Sequence, residues 1–222
     1  MSHTTTDRRR RGLREPFSAI SHFAGAALSV AGMVLLIVWS HGEPWRVVSF
    51  SLYGATLIML YMASGIYHGL PVSPRAQEWL MRLDHAAITL LIAGSFIPMC
   101  LVTLRGALGW SLFGVVVGIA LAGSAVVLFV PRTPHWVRLV LYIGLGWMAS
   151  AMVPSLRAKL PPEAIGWLLA GGITYTLGAV VYASGRPRLW PGVFGSHDLW
   201  HLFVLGGSVC HWVFMLYIVP VR

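Results

Sequence analysis

His197 and His201 stand four residues apart in an apolar run, so on a helix both imidazoles share one face. At that spacing two histidines can share one metal ion. The chain carries nine histidines and seven acidic residues. Most have ordinary places: His3, His41 and His135 fall in the N-terminal arm or in loops, and Glu43, Glu78 and Glu163 fall at loop or interface positions. Four are placed differently. His68 closes one apolar run, Asp84 opens the next, and His197 and His201 open the last. Three histidines leave the fourth position of a tetrahedral zinc ion open for water. A carboxylate at the same depth, Asp84, can hold that water and take its proton. Ser64 lies four residues before His68, on the same face and deeper, within reach of Asp84, the water or a substrate carbonyl. The same residues also admit a structural reading, in which they cap helices, pair with one another or hydrogen-bond inside a bundle. Against it stands the cost of ionisable groups at membrane depth, which usually carry a role.

The elements that must position these groups are set by composition. Hydrophobic residues make up 57% of the 222 and charged residues 10%, against roughly a quarter charged in soluble domains. Mean hydropathy is +0.73. Seven apolar runs are each long enough to cross ~30 Å of hydrocarbon at ~1.5 Å per residue: Ser18–Ser40, Val47–Tyr67, Asp84–Leu104, Trp110–Val130, Val137–Ser155, Glu163–Ser184 and His197–Val219. Breaker clusters divide them, including His41-Gly-Glu-Pro44, Pro131-Arg-Thr-Pro134, Leu160-Pro-Pro162 and Gly185-Arg-Pro187. The apolar character is continuous rather than alternating, which favours helices over an outer-membrane barrel. The expected fold is therefore an all-α integral membrane protein: a basic arm over 1–17, then a seven-helix bundle over 18–222. Arg8–Arg11 resemble the start of a signal peptide, but the following run is too long and lacks a small-residue cleavage site, so a retained first helix is expected.

Net charge is +9. The arginines sit between apolar runs, so they read as a topology signal rather than a nucleic-acid surface. The arm and the gaps after the second, fourth and sixth runs hold eleven of the sixteen Lys and Arg; the other side holds Arg46, Arg105, Arg157, Lys159 and Arg222. The positive-inside rule then puts the N-terminus in the cytoplasm and the C-terminus outside, in a membrane whose lipids are the natural partners. Without the arm the count is six to five, so the arm carries most of the asymmetry. This orientation gathers His68, Asp84, His197 and His201 at the cytoplasmic ends of three helices, although none of them was used to choose it. Cys100 and Cys210 both lie inside apolar runs and read as buried small hydrophobes, not a disulfide. Pro74–Leu83 reads as a short interfacial helix or a plain loop, and Gly114-x-x-x-Gly118 as close packing, inside the bundle or across a dimer.

Three segments together resemble the haemolysin III family: Ser64-Gly-Ile-Tyr-His68, Arg82-Leu-Asp84-His-Ala-Ala-Ile and Ser196-His197-Asp-Leu-Trp-His201-Leu-Phe-Val. These are the bacterial members of the progestin and adipoQ receptor superfamily, which includes the adiponectin receptors. Ser21-His22-Phe-Ala-Gly25, Leu91-Ile-Ala-Gly-Ser-Phe-Ile-Pro98 and Gly206-Gly-Ser-Val-Cys-His211 extend the likeness. The resemblance implies seven helices with the N-terminus inside and zinc held by His68, His197 and His201. It also implies that Asp84 approaches the metal through water, with Ser64 as the serine of the family's Ser-x-x-x-His element. It assigns no direct role to His22 or His211. His211 stands ten residues past His201, ~15 Å along a helix, and is expected to hydrogen-bond in the core. His85 points about 100° away from Asp84 and suits an interface, and Asp198 suits a helix cap. The long N-terminal extension of the animal receptors is absent from these residues, so a minimal bundle is expected rather than a hormone receptor. The activity implied is ceramidase-like hydrolysis of a lipid amide. The alternative is a non-enzymatic sensor or regulator of membrane state in which zinc ties three helices together. A cytolysin ranks below both, because a seven-span apolar chain has no soluble form to carry it to a target cell.

Overall fold

A computed structural model describes residues 12–130, 132–187, 189–190 and 194–219. It is an all-α bundle with seven helices long and apolar enough to span a membrane. They are α1 (Pro16–Trp39), α2 (Pro44–Gly69), α3 (Pro74–Pro98), α4 (Ala107–Phe129), α5 (His135–Trp147) continued through a 3₁₀ turn and the short α6 (Val153–Arg157), α7 (Pro162–Ser184) and α8 (Ser196–Leu216). Four of the spans begin with proline in the first turn, at Pro16, Pro44, Pro74 and Pro162. There the missing N–H costs nothing and the fixed φ already suits a helix. Side chains cap two of these starts: Glu43 accepts from the Arg46 N–H at 2.8 Å, and Ser73 from the Ala76 N–H at 3.4 Å. Gly185, at φ +63°, closes α7 in the left-handed conformation that glycine adopts without penalty.

Two boundaries differ from the sequence reading. The segment Pro74–Leu83 is neither a separate interfacial helix nor a loop but the opening of α3, which runs unbroken from Pro74 through Asp84. Two of its charges meet there: Arg82 pairs with Glu78 and donates to the Leu128 carbonyl of α4 at 3.0 Å. At the other end, α1 starts at Pro16, so the last residues of the arm belong to the bundle; residues 1–11 lie outside the described residues.

α3 is the central helix. In its apolar window 72% of residues are buried, against 22–44% in the other spans. It packs on α2 and α4, while α1 packs on α2 and α8, and α7 on α8. Apolar surface cannot drive helices together inside lipid, so close packing and interhelical hydrogen bonds must do so, at about 0.6–2 kcal/mol per bond. Tyr61 of α2 and Tyr175 of α7 both meet the Ser208 hydroxyl of α8, at 2.7 and 2.8 Å. Thr89 of α3 meets Ser124 of α4 at 2.6 Å, and the Trp212 indole donates to the Gly32 carbonyl of α1 at 3.1 Å. Gly94 lets α2 and α3 pack closely: a Cβ there would collide with Thr56 Oγ1. Gly114 and Gly118 do the reverse. An added Cβ at either meets nothing within 4 Å, so this pair faces outward and does not pack inside the bundle. Cys100 and Cys210 are both free. Pro98 ends the regular part of α3 and leads into a π-helical turn, Met99–Thr103, far from the Asp84 end.

Candidate metal centre

Two helix ends and an inner turn of α3, ten residues past its start, meet at one end of the bundle. α2 finishes there, and α3 and α8 bring Asp84, His197 and His201 to it. α8 is fixed by its own cap. Asp198 accepts from the Gly195 N–H at 3.0 Å through one carboxylate oxygen, and from the Ser18 hydroxyl of α1 at 2.9 Å through the other. The cap expected at Asp198 is therefore present, and it also ties α8 to α1. Backbone bonds between Trp190 and Phe194 pinch the preceding loop, and Phe194 packs edge-on against Phe17.

His68, His197 and His201 form a nearly equilateral triangle, with ring centroids 4.8, 4.7 and 4.7 Å apart. One nitrogen from each lies within 4.8 Å of the other two. His68 and His201 are each 2% exposed. His68 Nε2 and His201 Nδ1 are buried with no hydrogen-bond partner among the described residues. Leaving such groups unpaired costs about 1–3 kcal/mol each, a cost that a shared cation would remove. Tetrahedral zinc with Zn–N bonds of ~2.0–2.1 Å needs nitrogens about 3.3 Å apart, within reach of small ring rotations. The donor set and its geometry therefore fit zinc.

Asp84 lies outside that three-nitrogen group. It is buried, with His68 and Ser64 among its polar neighbours. Ser64 is 1% exposed and sits one turn deeper on α2 than His68. The five residues singled out in the sequence are thus brought together, three with ring nitrogens within 4.8 Å of one another and two beside them. Two further residues were not assigned. His22 is 3% exposed, stacks on His201 at 3.9 Å between centroids, and has no partner for either ring nitrogen among the described residues. Glu15, just ahead of α1, places Oε2 2.6 Å from His68 Nδ1. That hydrogen bond, with the charges of His68 and Arg14, holds the Glu15 carboxyl below the ordinary carboxylate range, against the opposing effect of burial. The signal available for Glu15 was its position at the start of a helix whose end of the bundle also holds His68.

Beyond the triangle lies an apolar cavity of about 110 Å³ between α2, α3, α5, α7 and α8. Its lining begins one helical turn inside the site: Leu60 follows Ser64's face of α2, Ile88 that of Asp84, and Val204 that of His201. It is comparable with an apolar cavity of ~150 Å³ that takes up benzene. His211 lines this cavity too. It hydrogen-bonds with the Leu168 backbone, as expected of a core histidine, while its buried Nε2 has no partner among the described residues.

The chain as a whole is similar to known proteins. The family model for haemolysin-III-related proteins matches residues 11–212. Hemolysin-3 of Bacillus cereus is 36% identical over 206 residues, covering 91% of both chains. The Hemolysin-3 homolog of Bacillus subtilis (strain 168) is 32% identical over 202 residues, 90% of this chain and 92% of the relative. Heptahelical transmembrane protein 5 of Arabidopsis thaliana is 33% identical over 204 residues, 82% of this chain but 52% of the plant protein. With the match running from the end of the arm into α8 and through every segment that builds the triangle, the chain belongs to the haemolysin III family.

Proposed function

We propose that this protein is a zinc hydrolase acting on a lipid amide within the cytoplasmic membrane. The observation that carries the reading is the triangle of histidines, with two unpartnered buried nitrogens, beside a carboxylate and above an apolar cavity. Zinc held there would supply a Lewis acid for a carbonyl. The chain's own groups do the rest. The cavity takes a segment of acyl chain and excludes water from it, which sets the amide carbonyl at the triangle. A carboxylate oxygen of Asp84 takes a proton from the attacking water as its oxygen bonds to the carbonyl carbon. The same carboxyl then returns the proton to the amine nitrogen as the C–N bond breaks. Ser64 orients Asp84 or the carbonyl by hydrogen bonding. His68, His197 and His201 hold the metal and tie α2 to α8.

The test is turnover by the purified protein in nanodiscs, using ceramides and then other lipid amides and esters. Release of free fatty acid is expected, lost on chelation and restored by zinc. Zinc-loaded protein that hydrolyses no lipid class would overturn the hydrolase reading and favour a regulator in which the metal only joins helices. Orientation has its own check. With eleven of sixteen basic residues on the arm's side, reporter fusions after Gly185 should read cytoplasmic and those after Arg222 periplasmic. The opposite pattern would reverse the bundle and move the site to the outer face.

A further inference from the structure

The His68 end of α2 is held by a segment that the hydrolase reading does not use. The Glu15 N–H donates to the His68 carbonyl at 3.0 Å, and the Arg14 N–H to the Gly69 carbonyl at 3.2 Å. Both Glu15 carboxylate oxygens are engaged: Oε2 meets His68 Nδ1 at 2.6 Å, and Oε1 meets the Arg14 guanidinium at 2.9 Å. Arg14 in turn stands over the Tyr67 ring, 4.7 Å from its centroid. Pro16 starts α1 at the next residue, so the carboxylate is carried on a helix terminus, not a free arm. Among the described residues, this is the only carboxylate in an ion pair with a histidine of the triangle.

An ionised carboxylate only accepts hydrogen bonds. Facing Nδ1 at 2.6 Å, it fixes the ring proton on that nitrogen and leaves the lone pair on Nε2. His68 Nε2 is the buried atom without a partner. A ligand histidine held in this way is oriented, kept in one tautomer and made more basic. We infer that Glu15 is a positioning residue of the metal centre, presenting His68 to zinc through Nε2. This rests on the zinc reading of the triangle. The competing role is a plain clip: Glu15 would join the segment before α1 to α2 and have no bearing on metal affinity.

Zinc affinity separates the two. The full-length protein in detergent would be titrated with Zn²⁺ against a competing chelator, and the metal-free form melted in parallel. Glu15→Ala should weaken zinc by about 10–100-fold, the usual cost of losing an outer partner of a ligand histidine. Glu15→Gln keeps a carbonyl acceptor but loses the charge, and charge-assisted bonds are roughly twice as strong as neutral ones. It should therefore fall between wild type and Glu15→Ala. Arg14→Ala keeps the backbone bond to Gly69 and removes the guanidinium from Glu15 Oε1 and the Tyr67 ring; with Oε2 still on His68 it should weaken zinc less than Glu15→Ala does. A clip predicts a different pattern: a lower melting temperature for the metal-free variants and unchanged zinc affinity. Glu15→Ala binding zinc like wild type would overturn the inference. If Glu15→Ala does not fold, Glu15→Gln decides, and wild-type affinity in that variant overturns it. Wild-type protein that binds no zinc would instead sink the metal reading itself, and this inference with it.

Discussion

Replacing His68, His197 or His201 with alanine is expected to strip zinc from the purified protein. Each supplies one of three nitrogens, and two of the three rings are almost wholly buried. No other described His, Cys, Asp or Glu completes a three-donor group at this place. The loss should therefore exceed the ~100-fold that marks the upper end for outer-partner changes. Metal analysis should find about one zinc per chain in wild type and a small fraction of that in each variant. His41→Ala is the control, since His41 sits in the exposed turn after α1. Full zinc retention in any one of the three variants would remove that residue from the site. The three losses should not add in a double variant, because the site is already broken by the first.

Asp84→Asn is expected to separate metal binding from chemistry. Asparagine keeps the size and one hydrogen-bonding oxygen, so the packing of α3 against α2 should survive. It removes the charge and the basic site. Because Asp84 stands outside the three-nitrogen group, zinc should remain at about one per chain. General-base catalysis typically contributes ~10²–10⁴-fold, and turnover should fall by that order. The measurement is fatty-acid release and metal content on the same samples. Unchanged turnover would leave a hydrolase without Asp84 as its base. Loss of both zinc and turnover would make Asp84 part of the metal-holding set.

Much of this site was legible because membrane sequences are simple where they are apolar. Continuous hydropathy marks the spans, and a charged or polar residue at the edge of a span is conspicuous against it. That is why His68, Asp84, His197 and His201 stood out, and why alternating helix directions put them at one end. The same signal failed where polarity and helix continue together. Arg75, Glu78 and Arg82 interrupt the hydropathy of α3, yet the helix passes through them from its Ser73 cap. Hydropathy reports depth, not helicity. The glycines at 114 and 118 show a second limit: their spacing permits close packing, but which face of α4 meets a neighbour is decided by the rest of the bundle. Glu15 shows a third. It reads as one more residue of a basic arm, and its role appears only when α1 is set beside α2. Pairings between residues 53 apart are tertiary facts.

Anomalous scattering can see the metal itself. Diffraction from crystals of the purified protein would be recorded on both sides of the zinc absorption edge. One strong difference peak is expected per chain, about 2.0–2.1 Å from a nitrogen of each of His68, His197 and His201. The His68 contact should run through Nε2, with Nδ1 still bound to Glu15. A strong zinc peak elsewhere, or none in protein purified without chelator, would rule out a zinc site at the triangle.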